Sequence, residues 1–423
     1  MAKYHIITFG CQMNKSDSER IAGVFERLNY QPAEDMQAAD ILVVNACSVR
    51  QTAIDRIWGV VKKFSQLKGE KKYTTILTGC LLPSDRIKFR KRFDLVFNIK
   101  KLLELENFLD ARESESKEKY FEHLPRYAVN FQAHVPVMTG CNNYCSYCVV
   151  PYVRGRETSR KVKDILKEIQ ALVKNGCKQV DLLGQNVNSY EPDDKDCFSK
   201  QNPFQQNFAK LLWEINQIEN IERVNFMSSH PKDLHDDVIR ALALPKMVNY
   251  LHLALQSGDN QVLGKMNRKY TIKDFEKLIT KVRKVKPEIA IGTDIIVGFA
   301  GETRVQFENT LKFYKKIRFD ISYNAMFSLR RGTAAAKFDD DVFHEEKKRR
   351  WHELQIIMEK ITLEINQKYL GKMVSVLIDT KEKDFCDGNS LEMKRVRIKN
   401  CQAMPGDIVQ VKIKQAREWM LFA

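Results

Sequence analysis

The chain has 423 residues, 43% of them hydrophobic and 29% charged. That length exceeds one ordinary core, so two or three folded units are expected; no apolar run approaches a membrane span, and the first residues lack the apolar stretch of a secretory signal. The net charge of +16 favours a polyanionic partner, RNA foremost, and ten cysteines without a secretory signal point to a reducing cytoplasm, where thiols are metal ligands, reactive groups or core residues rather than disulfides.

In chain order, strands are expected over residues 4–9, 41–45 and 75–78. Helices lie between them: one behind a capping box at residues 16–19, with Ile21, Val24, Phe25 and Leu28 at helical spacing, and another over residues 50–64. Such alternation predicts a parallel, Rossmann-like sheet with helices packed on it. Cys11, Cys47 and Cys80 each follow a strand end within two residues. That is the carboxyl edge, where open α/β sheets bind ligands. A lone buried cysteine is usually a small core residue. Three in one topological position point instead to a shared iron–sulfur site. The charged residues 113–119 read as a linker, closing a first unit at residues 1–122.

The second unit, residues 127–361, opens on the densest motif. A strand is expected over residues 133–138, and Cys141, Cys145 and Cys148 follow at spacings of three and two intervening residues. A four-iron cluster takes one cysteine per iron, so three leave one iron open for chemistry. Zinc is the competing reading. It needs a fourth ligand, and the next cysteine, Cys177, lies well beyond the loop. Further strands at residues 179–183, 223–227, 250–255, 290–297 and 321–327, with helical patterns between, predict a partial (β/α)6 barrel, whose functional groups sit after strand ends. The loops at residues 183–190, 228–230, 256–258 and 298–303 are polar or glycine-containing, as a ligand with an amino-acid end, a ribose and an adenine requires. His230 and His252 read as structural.

The third unit, residues 366–423, follows a long helix over residues 344–369. Alternating β-branched runs at residues 373–378, 394–399 and 408–413 predict a small β-barrel. Lys394, Arg395, Arg397, Lys399, Lys412, Lys414 and Arg417 give it a basic surface suited to RNA. Cys177, Cys197, Cys386 and Cys401 read as structural or incidental.

These motifs resemble a known family. With Tyr147 before its last cysteine, the central triplet is similar to the C-x3-C-x-aromatic-C loop of radical S-adenosylmethionine (SAM) enzymes. Residues 140–143 and 149–160 narrow the resemblance to the methylthiotransferases, as do residues 9–14, 44–50 and 77–80 around the first three cysteines, although Ala46 replaces a more usual threonine. The resemblance implies two 4Fe-4S clusters, one on Cys141, Cys145 and Cys148 and an auxiliary one on Cys11, Cys47 and Cys80. It implies SAM on the open iron, with Tyr147, Gln185, Asn186 and Gln256 placed at the pocket by position, and a TRAM-like RNA-binding C-terminal unit. The residues after Cys11 resemble the MiaB-type group. That implies methylthiolation of carbon 2 of N(6)-isopentenyladenosine at position 37 of a tRNA anticodon loop, by a cytoplasmic monomer fed by a low-potential electron donor. Relatives acting on threonylcarbamoyl-adenosine or on a ribosomal protein are the enzymatic alternative. An iron–sulfur RNA-binding regulator is the non-enzymatic one.

Overall fold

The structure, a computed structural model, describes residues 1–48, 51–67, 73–110 and 120–423. The expected linker at residues 113–119 lies outside the described residues. At the N-terminus, β1 (Lys3–Phe9), β2 (Gln31–Pro32), β3 (Ile41–Cys47), β4 (Thr74–Cys80) and β5 (Leu95–Val96) form a parallel sheet in the order β2-β1-β3-β4-β5. Helices α1 (Gln12–Arg27), α2 (Gln51–Leu67), α3 (Pro83–Phe89) and α4 (Leu102–Asp110) accompany it. The central strands β3 and β4 are almost wholly buried, as apolar runs covered on both faces should be. One expectation is corrected. Helix α1 starts at Gln12 with Cys11 at its N-cap, so residues 16–19 lie inside the helix. The Asn14 side chain accepts from the Cys11 backbone N–H and supplies the cap one turn earlier.

The second unit runs through β6 (Gln132–Pro136), β7 (Met138–Thr139), α5 (Val150–Arg154), β8 (Thr158–Ser159), α6 (Val162–Lys174), β9 (Gln179–Leu183), α7 (Asn207–Gln217), β10 (Arg223–Phe226), α8 (Asp236–Ala241) and β11 (Tyr250–His252). It continues with α9 (Asn260–Lys265), α10 (Ile272–Val285), β12 (Ala290–Val297), α11 (Arg304–Ile317), β13 (Ile321–Met326) and α12 (His344–Gln367). Two parallel three-stranded sheets, β10-β9-β6 and β11-β12-β13, are joined by the parallel bridges Val224–Met247 and Ser229–Leu253. The result is an open (β/α)6 barrel. Helix α6 shows why the sequence wraps this way. Val162, Ile165, Ile169 and Leu172 recur on one face and are all buried in the barrel core. The strand expected over residues 133–138 breaks after Pro136, where β7 turns away to pair with β8.

The C-terminal unit is a curled sheet of β14 (Met373–Lys381), β15 (Phe385–Ser390), β16 (Arg395–Lys399), β17 (Ile408–Lys412), β18 (Gln415–Ala416) and β19 (Leu421–Phe422), in the order β17-β14-β15-β16-β19-β18. Two expectations about it are corrected. Part of its basic surface is already paired with carboxylates: Arg395 with Asp379, Arg397 with Asp387, and Lys394 with Asp320 of the barrel. Cys386 and Cys401 are joined as a disulfide, because the β15–β16 hairpin brings their Cα atoms to 5.6 Å, within bridging range. The unit docks through Arg223, only 1% exposed, whose guanidinium donates to the carbonyls of Asn389 and Ser375, each at 2.9 Å. Among the described residues no helix is long and apolar enough to cross a membrane.

Candidate active site

Cys141, Cys145 and Cys148 occupy the loop between β7 and α5, all three half-buried. Gly140, at φ +85°, fits so tightly that a Cβ would fall on the Arg156 carbonyl oxygen. The loop is pinned on several sides. The Cys141 N–H donates to the Gly155 carbonyl (3.1 Å), the Gly140 N–H to Gln185 Oε1 (2.5 Å), and the Ser146 N–H to the Met266 carbonyl (3.0 Å). The Asn142 N–H donates to Glu157 Oε1 at 3.1 Å. Arg268, nearly buried, directs Nη1 to Cys145 Sγ at 3.4 Å and Nη2 to the Ala254 carbonyl at 2.8 Å. Burial pushes the Cys148 thiol up to about 12 and raises that of Cys141. A metal would take the place of those protons.

The N-terminal cysteines converge from three strand ends. Cys47 and Cys80 are direct register partners on β3 and β4. Cys11 follows β1, and Asn14 links it to the others: its Oδ1 accepts from the Cys11 N–H at 3.4 Å while its Nδ2 lies 3.9 Å from Cys80 Sγ. Asn45 fixes Asn14 in turn, its Nδ2 donating to the Asn14 carbonyl at 2.8 Å. Exposure is graded, with Cys80 buried, Cys47 half-buried and Cys11 exposed. A hydrogen bond with Cys47, and then burial, raise the Cys80 thiol well above its ordinary value, while Arg154 beside it acts in the opposite direction.

Among the described residues, no three His, Cys, Asp or Glu side chains close on a point where a single metal ion would sit. Zinc wants four such ligands within about 2.3 Å. A four-iron cluster instead spreads its cysteines, one to each iron. Two triplets made of thiols match the all-cysteine donor set of the larger group.

Of the residues placed at a SAM pocket, Tyr147 packs its ring against Phe299 at 6.5 Å between centroids, next to Val262 and Met266. Gln185 supports Gly140. Gln256 sits at φ +72°, a left-handed conformation that its type rarely adopts, and is nearly buried between β11 and β12. Asn186 is buried in the loop after β9. Its amide donates to Asp233 at 2.7 Å and its oxygen accepts from the His230 N–H at 3.3 Å, so it shapes the loop from inside. His230 is a buried neutral imidazole, pushed down to about 2 chiefly by burial. His252 has a carboxylate partner that sequence spacing did not reveal, Asp294 Oδ2 at 2.8 Å. Cys177 is buried with its thiol on the Gln179 carbonyl, and Cys197 is exposed.

Three residues to which the sequence motifs assigned no role stand nearest the sulfurs or behind them: Arg268, Arg154 and Asp17. Arginines at hydrogen-bond distance from cysteines carry no sequence signature. The signal in the sequence was position alone: Arg154 lies in the segment 149–160 that carries the family resemblance, and Asp17 in the stretch 16–19 beside Cys11.

The Radical SAM superfamily matches residues 135–314, and the Uncharacterized protein family UPF0004 matches residues 3–98. Among solved structures, the cobalamin- and [4Fe-4S]-bound radical S-adenosylmethionine methyltransferase TsrM from Kitasatospora setae shares the fold, with a TM-score of 0.56 and 12% identity over 89% of this chain and 81% of that one. Curated relatives are far closer in sequence. The tRNA-2-methylthio-N(6)-dimethylallyladenosine synthases of Caldicellulosiruptor saccharolyticus and Thermoanaerobacter pseudethanolicus are each 40% identical over 99% of this chain and 91% of their own. That of Clostridium botulinum strain Hall is 37% identical, covering 100% and 96%. Identity at this level, along essentially its whole length, means that the chain belongs to the radical SAM family of tRNA-2-methylthio-N(6)-dimethylallyladenosine synthases.

Proposed function

We propose that the protein replaces the C2–H of N(6)-isopentenyladenosine at position 37 of tRNA by C2–SCH3, using SAM. The observation that carries this reading is the presence of two separate three-thiol sites in one assembly. A sensor needs one such site; a radical transfer of sulfur needs one to break SAM and one to hold the sulfur. The division into residues 1–122, 127–361 and 366–423 gives each job its own unit.

In this reading Cys141, Cys145 and Cys148 hold one 4Fe-4S cluster, and Cys11, Cys47 and Cys80 the other. Bound by those three thiolates, the first cluster would supply the one-electron reduction of SAM that radical removal of the C2 hydrogen requires. The chain's own residues do the positioning. Tyr147 packs against the apolar cluster of Val262, Met266 and Phe299 beside the loop, and Arg268 holds Cys145 in register with the turn after β11. A cavity of about 960 Å³ lies between the three units, lined by Gln12 and Glu19 from α1, His134 and Asn225 from the barrel, and Arg395 and Trp419 from the C-terminal sheet. Its volume is in the size class of a small-molecule site, and none of the six cysteines lines it. Exposed Lys399, Lys412, Lys414 and Arg417 of the C-terminal sheet supply the cations that phosphates need. The protein acts as a monomer in the cytoplasm.

Mass spectrometry of tRNA nucleosides from cells with and without the gene tests the substrate. Loss of the 2-methylthio form with accumulation of N(6)-isopentenyladenosine is the expected result. An unchanged pair would overturn it and direct attention to threonylcarbamoyl-adenosine.

A further inference from the structure

Arg154 contacts one cysteine site and adjoins the residue that supports the other. It ends α5, the short helix that follows Cys148, and is only 1% exposed. Its Nε donates to Cys80 Sγ at 3.0 Å, and its Nη1 and Nη2 chelate Asp17 at 3.2 and 2.5 Å. Asp17, on α1, is fully buried and also accepts from the Tyr120 hydroxyl at 2.5 Å. On the backbone side, the Arg154 carbonyl accepts from Lys100 Nζ at 2.8 Å, and the carbonyl of the next residue, Gly155, accepts from the Cys141 N–H at 3.1 Å. One residue therefore spans from the loop of the first triplet to the deepest sulfur of the second.

A guanidinium this deep is stable only where its charge and donors are all matched. Asp17 takes one N–H from each terminal nitrogen of the fork, and the Nε–H is aimed at sulfur. An apolar side chain would fill the same volume without needing a partner, so the position calls for charge and direction. We propose that Arg154 is a positioning residue for the N-terminal metal–sulfur site, neutralising the Cys80 thiolate and holding it in fixed register with the loop of Cys141, Cys145 and Cys148. This rests on the reading that Cys11, Cys47 and Cys80 bind an iron–sulfur cluster. A positive N–H donor on a cluster ligand makes electron addition easier, and partners behind the ligands tune metal affinity. Lysine would keep the charge but could not chelate Asp17 and reach Cys80 together.

The test uses the full chain with Cys141, Cys145 and Cys148 all changed to Ala, so that iron reports the N-terminal site alone. Anaerobic reconstitution of this parent should give about four irons per chain; no bound iron would defeat the cluster reading itself, and this proposal with it. Onto that parent go R154Q and R154K, read by iron content, by the midpoint potential followed by electron paramagnetic resonance, and by the melting temperature of the metal-free protein. R154Q should retain iron roughly tenfold less tightly and shift the midpoint potential to more negative values. R154K should shift it in the same direction by less. A residue that only glues the units together would lower the melting temperature and leave the potential of the cluster unchanged, and that result overturns the proposal. If R154Q does not fold, R154K decides: parental iron and parental potential reject the role, and a negative shift supports it.

Discussion

The two cysteine sites solve the same problem in opposite ways. Cys141, Cys145 and Cys148 sit in one loop whose backbone is pinned by its own flanks, Gly155 and Glu157, and by the turns that carry Gln185 and Met266. Cys11, Cys47 and Cys80 come from three strand ends and meet only when the sheet has formed. The first site is set mostly by local sequence. The second is set by topology, and it leans on a neighbour: its buried sulfur is contacted by Arg154, which belongs to the other unit. Local sites tolerate loose docking of units, whereas convergent sites inherit every error in it.

That contrast can be broken most forcefully at Cys148. Its thiol is deep in the loop, and Cys148→Ala should abolish both SAM cleavage and methylthiolation in reconstituted protein, measured as 5′-deoxyadenosine and modified nucleoside. Arg268→Ala probes the support of the same loop. Removing the donor to Cys145 should weaken iron retention there roughly tenfold, read as iron content during chelator challenge, while the N-terminal site keeps its iron. The smallest effect concerns α1, the helix that Cys11 caps. Burial holds the Glu19 carboxyl up at about 7, against an ordinary value of 4.5. The folded chain thus keeps a proton that the unfolded chain releases. Its contribution to stability is intact below about pH 4.5 and is lost as pH rises through about 7. Glu19→Gln cannot ionise, so it should leave the melting temperature unchanged near pH 4 and raise it by about 2 °C at pH 8.

The same contrast decided what could be read from sequence. Spacing alone exposed the loop triplet, because its three thiols lie within one turn of chain. The strand-end triplet was legible through topology, since buried apolar runs such as β3 predict parallel strands, and parallel strands share a carboxyl edge. The start of α1 was misplaced because Cys11 is an unusual N-cap, and its partner Asn14 reads as an ordinary helix residue. Strand β15, Phe385–Ser390, went unread because Asp387, Gly388 and Asn389 are poor strand formers; it exists because β14 and β16 pair with both its edges. Arg154, Arg268 and the partners of Arg395 and Arg397 were invisible for one reason. A long charged side chain on the page looks solvent-bound, and only the packed structure shows where its head goes.

The most direct test of the division of labour is Cys80→Ala in the full chain, reconstituted with iron and sulfide and supplied with reductant, SAM and tRNA carrying N(6)-isopentenyladenosine. The expected outcome is a split: 5′-deoxyadenosine still forms, and no 2-methylthio product accompanies it. Methylthiolation at the parental rate, or loss of SAM cleavage to the same extent as in Cys148→Ala, would contradict the assignment of separate jobs to the two sites.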